Sequence, residues 1–238
     1  MKNIYSKLVV IIGIAVVVTS CVRFLPITGN GNLETFEINV SSFEKISSAG
    51  SVEIRYYASN EYHAVVTIDS NLKEYVEIDT KNNVLSIKTK NGYSISYTRF
   101  LVDVYCPFVS SVMISGSGSF TGMDKITSSS FETHISGSGK VNGTIECNKF
   151  STKISGSGKI TVEGNCNNAN IEISGSGNFF GNYFCIKNAT INISGSGDAN
   201  LYVTDYLKAN ISGSGVIKYR GNPIIESNIS GSGKIKKM

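Results

Sequence analysis

The chain has 238 residues, a formal net charge of +4, 17% charged residues and 41% hydrophobic residues. So weak a positive balance argues against a nucleic-acid-binding protein, which needs clustered lysine and arginine, and the hydrophobic content argues against a disordered chain. The length is sufficient to bury one substantial core.

The first twenty residues have the pattern of a bacterial export signal. Lys2 and Lys7 precede an apolar run over residues 8–18, which is too short to span a bilayer. The run ends in Val18-Thr19-Ser20-Cys21, which resembles a bacterial lipobox. This resemblance implies removal of residues 1–20 and acylation, including palmitoylation, of the cysteine. The alternative is an ordinary secretory signal followed by a chance cysteine.

Residues 21–34 are predicted to be a short tether, because they contain Pro26, Gly29 and Gly31 and few strand formers in register. Acyl chains on Cys21 would anchor the protein durably through their buried methylene groups. The expected partner at this end is therefore the membrane, and the expected location is the cell envelope, on the outer membrane.

Residues 35–110 alternate apolar and polar side chains as strands do, and they predict an irregular N-terminal β region. The predicted strands span residues 35–40, 51–56, 62–68, 75–80, 84–89 and 101–105. Lys81-Asn82-Asn83 predicts a hairpin turn between two of them.

Residues 111–238 carry seven copies of Ile-Ser-Gly-Ser-Gly. The copies begin at Ile114, Ile135, Ile154, Ile173, Ile193, Ile211 and Ile229, which are 21, 19, 19, 20, 18 and 18 residues apart. A period near twenty is typical of arrays whose units bury their apolar faces against one another. Apolar residues recur six after each Ile and, from the second copy on, four before it, while the residue just before it is mostly polar. This is the period of a strand.

These patterns predict an all-β fold, a parallel β-helix whose coils of 18–21 residues stack equivalent positions in columns. One domain is predicted over residues 35–238, with 35–110 as an N-terminal cap and 111–238 as the seven coils. A cap is needed because an open end exposes unpaired backbone groups. A degenerate motif copy at Ile46, with Val52 in the apolar column six residues later, is predicted to begin the same stack.

The two glycines of each copy predict a sharp corner at the same point in every coil. Glycine tolerates a positive φ that other residues avoid. A flexible linker is the alternative interpretation, but it would not keep apolar columns in register on both sides. The predicted corner residues are Gly116, Gly118, Gly137, Gly139, Gly156, Gly158, Gly175, Gly177, Gly195, Gly197, Gly213, Gly215, Gly231 and Gly233.

Cys147, Cys166 and Cys185 lie 19 residues apart, each twelve residues after its Ile. They are predicted to form one inward column of reduced thiols, since free cysteine packs as a small hydrophobe. No metal is predicted, because stacked thiols without a nearby histidine lack the usual ligand spacing. A disulfide between neighbours fits the distance, but parallel Cβ vectors oppose the required torsion.

The sequence offers no catalytic constellation. His63 and His134 are the only histidines, and the carboxylates fall at different offsets of the repeat. A polysaccharide lyase or hydrolase would need paired acidic residues on one face, and the glycines lack the spacing of a phosphate loop. The protein is therefore predicted not to be an enzyme, and no cofactor or metal is expected.

Two stretches are candidate binding surfaces. Tyr93, Tyr97, Arg99 and Phe100 crowd a predicted loop, and aromatic loops are common in carbohydrate and protein contacts. The alternative is that they cover the end of the solenoid. The second candidate is a row of outward asparagines, Asn192, Asn210 and Asn228, with Asn170 nearby. Stacking alone would also explain this row.

With these motifs in place, the chain resembles the bacterial DUF2807 family, named as a putative auto-transporter adhesin head GIN domain, over roughly residues 36–235. The repeated motif and the opening Phe43-Glu44-Lys45-Ile46-Ser47 are its most specific features. The resemblance implies a right-handed β-helix on an envelope lipoprotein, without catalytic residues. Surface lipoproteins of such bacteria often carry acidic residues after the cysteine, whereas Val22-Arg23-Phe24-Leu25 follow here, so surface and periplasmic exposure both stay open.

The leading hypothesis is a non-enzymatic, lipid-anchored envelope protein that presents a β-solenoid surface for adhesion to a protein or glycan partner. One alternative is a glycan-binding or carbohydrate-active β-helix protein, and another is a structural or stress-related periplasmic lipoprotein. Acidic residues grouped on one lateral face would favour the carbohydrate-active alternative. A wall of serine, threonine and asparagine would favour adhesion or a structural role.

Overall fold

The computed structural model describes residues 25–238, so the predicted signal 1–20 and the predicted lipidation site Cys21 lie outside the described residues. Across residues 25–238, no helix is long and apolar enough to cross a membrane. One 3-10 helix spans Ser70–Tyr75. The strands are β1 (Ile27–Thr28), β2 (Leu33–Asn39), β3 (Lys45–Gly50), β4 (Glu53–Ala58), β5 (His63–Asp69), β6 (Val76–Lys81), β7 (Val84–Thr89), β8 (Ile95–Ser96), β9 (Phe100–Cys106), β10 (Ser111–Gly116), β11 (Ser119–Gly122), β12 (Ile126–Gly137), β13 (Lys140–Gly156), β14 (Lys159–Gly175), β15 (Asn178–Gly195), β16 (Asp198–Gly213), β17 (Val216–Arg220), β18 (Ile224–Gly231) and β19 (Lys234–Lys237).

Seventeen strands form one continuous sheet that winds along the domain. From β10 onward the strands pair in parallel with the equivalent strand of the next coil. The result is a β-solenoid of about seven turns, which confirms the predicted all-β fold. The N-terminal strands β2–β7 and β9 belong to the same sheet, because β3 pairs with β10 and β4 with β11, whereas β1 and β8 form a separate two-stranded sheet.

The core consists of the apolar columns predicted from the repeat. The motif isoleucines from Ile114 to Ile211 are at most 2% exposed. The column six residues after them runs in register through Phe120, Val141, Ile160, Phe179, Ala199, Ile217 and Ile235. The column four residues before them runs through Phe131, Phe150, Ala169, Ala189, Leu207 and Ile225. Since side chains alternate across a strand, every second position points into this core.

Each Ile-Ser-Gly-Ser-Gly copy forms a tight corner rather than a linker. The first glycine of every copy has φ between 113° and 129°, a backbone conformation that side-chain-bearing residues rarely adopt. A Cβ on Gly156 would lie 2.6 Å from the carbonyl oxygen of Gly137 in the preceding coil. A Cβ on Gly158 would lie 2.6 Å from Cγ2 of Ile135. The Ser157 N–H donates to the Gly137 carbonyl at 2.9 Å, so the corners are stacked by hydrogen bonds as well.

The degenerate motif copy joins the stack two residues later than predicted. Gly50 lies beside the first corner glycine of β10, and Ser48 takes the place of the motif isoleucine. Val52 is therefore a corner residue, and Ile54 enters the apolar column instead. The prediction that Ile46 aligns with the motif isoleucines was wrong. This copy keeps only one of the two corner glycines, and a single glycine does not determine the register.

Antiparallel strands close the N-terminal end of the solenoid. β5 lies between β2 and β9, while β7 and β9 pair with β3 and β4 of the first coil. β6 and β7 form the predicted hairpin, and its turn residues Asn82 and Asn83 have φ of 52° and 64°. Two successive positive φ values are typical of a type I′ turn, whose twist matches that of the strands.

The predicted tether 21–34 is wrong from Ile27 onward, because β1 pairs with β8 and β2 begins at Leu33. Asp69, which is 0% exposed, holds this segment in place. Its carboxylate accepts hydrogen bonds from the N–H of Gly31 at 2.7 Å and from the N–H and hydroxyl of Thr98 at 2.7 and 2.9 Å. The glycines that suggested flexibility therefore belong to a fixed turn.

We expect the attachment of the N-terminal segment through Asp69 to be sensitive to acid. Burial alone would raise the pKa of its carboxyl, but hydrogen bonds from Thr98 and Gly31 outweigh burial and lower the pKa below its ordinary value of 3.8. A depressed folded-state pKa stabilises the protein above the unfolded-state pKa, and this stability is lost as the pH falls through the folded value. Denaturant unfolding from pH 7 to pH 2 should therefore show Asp69→Asn less stable than wild type at neutral pH. The difference should shrink below about pH 4; a constant difference would contradict this.

Ser48 is the one described residue with a buried, unpaired side-chain oxygen. It is 3% exposed and replaces an isoleucine in the core column. Removing an unpaired buried hydroxyl relieves its desolvation cost, so Ser48→Ala should stabilise the protein by about 1 kcal/mol. The matched control is Thr152→Val, which removes a buried hydroxyl that bonds Thr133 at 2.7 Å and should destabilise by about 1 kcal/mol. Urea denaturation midpoints that move in the same direction would refute this contrast.

Candidate functional site

The outward side of the motif strands forms one long polar surface, here called the motif face. Residues on either side of each buried motif isoleucine point outward, because side chains alternate across a strand. Parallel stacking repeats them roughly every 4.8 Å along the axis. The motif face comprises residues 111–116, 132–137, 151–156, 170–175, 190–195, 208–213 and 226–231.

One column of the motif face consists of serine alone. The first serine of every motif lies directly beside that of the next coil: Ser115, Ser136, Ser155, Ser174, Ser194, Ser212 and Ser230. All are exposed except the half-buried Ser155. The column presents a regular row of hydroxyls, each of which can donate and accept a hydrogen bond.

The column on the other side of the isoleucines changes its chemistry along the axis. It begins with Met113 and His134 and ends with Asn192, Asn210 and Asn228, with Lys153 and Glu172 between. The Asn210 side chain donates to Asn192 Oδ1 at 2.8 Å, as expected of a stacked amide ladder. Asn170 lies in the neighbouring outward column and donates to Glu172 at 3.2 Å, so it is close to the predicted row of three without belonging to it.

Two shallow grooves run between these columns. The larger, of about 290 Å³, lies at the C-terminal end between the asparagines and the serines, from Glu172 to Ser230. The smaller, of about 220 Å³, is lined by Met113, His134 and Ser136 among others. Both are open, so the motif face can contact an extended partner along its length.

The carboxylates of the motif face do not form a group. Glu132, Glu172 and Glu226 occupy different coils. Glu226 accepts hydrogen bonds from Lys208 at 2.6 Å and from Tyr206, which lower the pKa of this carboxyl. The face therefore carries mostly neutral polar groups, with dispersed charges and an ion pair, Lys208–Glu226. Among residues 25–238, no three His, Cys, Asp or Glu side chains are placed to hold a metal ion.

The predicted aromatic surface is split by the structure. Tyr93 and Tyr97 remain partly exposed, whereas Phe100 is 2% exposed at the start of β9 and meets Tyr97 edge-on at 5.6 Å between ring centroids. These three line a pocket of about 240 Å³ together with the corner residues 49–52. Arg99 points away and pairs with Glu53 at 3.2 Å. Sequence reasoning missed residues 49–52, because their copy of the motif was aligned two residues early.

The predicted cysteine column is wrong at one position. Cys147 and Cys166 are direct partners, but Cys185 lies beside Asn165 instead. The coil containing Cys185 has 20 residues, and its extra residue shifts the register before the cysteine. Cys166 is 4% exposed, while the other two thiols are half-buried. A hydrogen bond to Cys166, together with burial, raises the pKa of Cys147, so this thiol is poorly nucleophilic.

Comparisons with known proteins give a consistent identification. Residues 42–223 match the model of the DUF2807 family, described as "Putative auto-transporter adhesin, head GIN domain". No functionally curated protein matches this chain significantly.

Several crystal structures share the fold. A putative lipid binding protein from Parabacteroides distasonis ATCC 8503 is 31% identical with a TM-score of 0.75, covering 90% of this chain and 100% of that chain. A putative adhesin from Parabacteroides merdae ATCC 43184 is 25% identical with a TM-score of 0.71, covering 89% and 98%. A putative adhesin from Bacteroides fragilis NCTC 9343 is 22% identical with a TM-score of 0.82, covering 89% and 100%, and shows the fold alone.

Proposed function

The chain belongs to the DUF2807 family, and from this premise we propose that it is a non-enzymatic adhesin of the cell envelope whose binding surface is the motif face. The observation that carries the proposal is the uninterrupted column of seven serines beside a ladder of asparagines. One related solved structure, from Parabacteroides merdae, is itself described as a putative adhesin.

The motif face suits adhesion because its contacts are many and repeated. A single exposed hydroxyl or amide contributes little to affinity, since it exchanges one hydrogen bond to water for another. A row of such groups on a rigid sheet can engage a repetitive or extended partner at several points at once, and multivalent contact raises the overall affinity strongly. Repetition on a stiff scaffold, rather than one deep pocket, is therefore the physical basis of the proposed activity.

The anchor is proposed at Cys21. Strand β1 begins at Ile27 and pairs with β8, so five residues, 22–26, separate that cysteine from the domain. At most about 3.5 Å per extended residue, this span would hold the capped N-terminal end near the lipid. The coils of the solenoid would then project away from the membrane, with the motif face along their side.

A second candidate function, glycan binding, is favoured by the larger groove. Its walls are asparagine amides on one side and serine hydroxyls on the other, and both groups donate and accept hydrogen bonds as sugar hydroxyls do. In this form the adhesin partner is a polysaccharide rather than a protein.

The proposal is tested in cells that lack the gene and are complemented with variants. The double variant Asn192→Lys with Asn210→Lys should fail to restore adherence to immobilised mucin and matrix protein, because two cations disrupt the amide ladder. Asn142→Lys with Asn200→Lys adds the same charge outside the motif face and should adhere as wild type does. Protease shaving of intact cells measures surface exposure. On cell fractionation, the Cys21→Ala variant should no longer be found with the membranes. Equal adherence of both lysine pairs would overturn the assignment to the motif face.

A further inference from the structure

The first corner of the solenoid has no coil beneath it. The pairing of β3 with β7 ends at Ser48, and the pairing of β4 with β9 begins at Glu53. The corner between them, residues 49–52, faces the pocket of about 240 Å³ that also contains Tyr93 and Tyr97. In every later coil this place is filled by the corner of the preceding coil. The pocket is thus the space where a further corner would lie.

Two backbone donors converge on this space. In the corner stacked above, the N–H groups of Ser117 and Gly118 both donate to the Gly50 carbonyl oxygen, each at 3.0 Å. The equivalent groups one coil earlier are the N–H groups of Ser51 and Val52. Within residues 25–238 neither of these has a hydrogen-bond acceptor, although Val52 is only 1% exposed. Buried backbone N–H groups are rarely left unpaired, so the geometry calls for an acceptor oxygen in the pocket.

The chemistry of the corner favours an oxyanion. Successive N–H groups beside a residue with positive φ form a concavity that binds anions, and Gly50 has φ of 94°. A Cβ on Gly50 would meet no atom within 4 Å, so the approach is open. No carboxylate lines the pocket, and the adjacent Glu53 is paired with Arg99 at 3.2 Å. An incoming anion therefore meets donors and no unpaired negative charge.

The remaining walls suit a sugar ring. Tyr93 is 52% exposed and the partly buried Ile95 gives apolar surface, while Ser51, Thr89 and Ser94 give hydroxyls. Aromatic faces beside polar groups match the apolar and hydroxyl-bearing parts of a pyranose. The volume is below the 300–1,000 Å³ that is usual for drug-sized ligands, which limits the occupant to about one sugar residue.

We propose that this pocket binds the carboxylate of an acidic sugar residue, such as a uronic acid. One carboxylate oxygen occupies the position of the missing glycine carbonyl and accepts from the Ser51 and Val52 N–H groups, and the ring lies against Tyr93. The site is separate from the motif face and does not rest on the proposed adhesin function.

The test is a titration of the purified protein with D-glucuronate, followed through the amide resonances of Ser51 and Val52. Glucuronate is expected to shift both, and glucose, the neutral sugar of the same ring size, should bind at least tenfold more weakly. Acetate at the same concentration should also bind at least tenfold more weakly. Absence of shifts with glucuronate, or equal binding of glucose, overturns the carboxylate site. Equal binding of acetate, or shifts only with vesicles of phosphatidylglycerol, overturns its assignment to a sugar.

Variants separate the ring contact from the backbone donors. Tyr93→Ala should weaken glucuronate binding about tenfold, whereas Tyr183→Ala, at a tyrosine that is 68% exposed elsewhere on the solenoid, should not. Ser51→Pro removes one N–H and should abolish binding, while Ser51→Ala keeps the N–H and should bind within about twofold of wild type. If Ser51→Pro does not fold, the two tyrosine variants decide the matter, and equal affinities of the two would contradict the proposal.

Discussion

Gly156→Val is expected to lower the free energy of unfolding by roughly 3 kcal/mol or more. Gly156 has φ of 122°, where a β-branched residue is strained whatever the space around it. The new side chain would also begin 2.6 Å from the Gly137 carbonyl oxygen, so the two coils would have to separate. That oxygen accepts the Ser157 N–H at 2.9 Å, and separation would weaken this bond too.

The matched control is Lys159→Val, three residues later in the same coil. Lys159 is exposed, and its ammonium lies 4.7 Å from the centre of the Phe180 ring. Loss of this cation–π contact should cost about 0.5 kcal/mol. Urea denaturation of the two variants measures the difference, and equal midpoints would mean that the Ser-Gly-Ser-Gly stretch is not a fixed corner.

Phe150→Ala is expected to destabilise the protein by about 3–5 kcal/mol. Phe150 is 1% exposed, and its ring centre lies 6.4, 6.0 and 5.1 Å from those of Phe131, Phe179 and Phe184. Because three coils supply these rings, no single coil can move to fill the cavity. The exposed-face control is Phe180→Ala, which should cost about 1 kcal/mol since its ring is only half-buried. Similar midpoints for the two variants would contradict the inward column at Phe150.

The stack of coils could be predicted because it is local and repeated. Aligning the motif isoleucines places Phe131 beside Phe150 and Val141 beside Ile160, and the structure confirms these pairs. The alignment succeeds because stacked positions carry similar residues, and each column fills the same part of the core in every coil. The hairpin at Asn82-Asn83 was predictable for a similar reason, because two residues determine its turn.

The cap and the exact register in irregular coils could not be predicted. The strand order β2, β5, β9 depends on pairings between residues 24 to 42 positions apart, such as Phe36 with Val66, which no local pattern encodes. Cys185 was misplaced because counting forward from Ile173 passes the extra residue of that coil. Counting back from the next motif would have found the shift.

Only part of the candidate site was visible in the sequence. The serine column follows from the repeat itself, and the asparagine ladder follows from the residue before each motif. The pocket at residues 49–52 exists because no coil lies beneath this corner. Only the three-dimensional pairing of β3 and β4 reveals that gap. Tyr93 and Tyr97 were predicted as part of a binding surface. Arg99 was included with them because its position in the sequence does not reveal that its side chain pairs with Glu53.

Removal of one whole coil is the most direct test of the central claim that each Ile-Ser-Gly-Ser-Gly copy is the corner of one stacked coil. Deleting residues 155–173 joins Ile154 to Ser174. Because Ser174 lies beside Ser155 in the next coil, this junction restores an intact motif. Repeat arrays tolerate the loss of a complete unit, because the remaining units keep equivalent neighbours. Circular dichroism and urea denaturation should therefore show a folded β protein with one cooperative transition, whereas deletion of residues 155–163 should leave it unfolded. Two equally unfolded proteins, or two equally folded ones, would contradict the stacked-coil account.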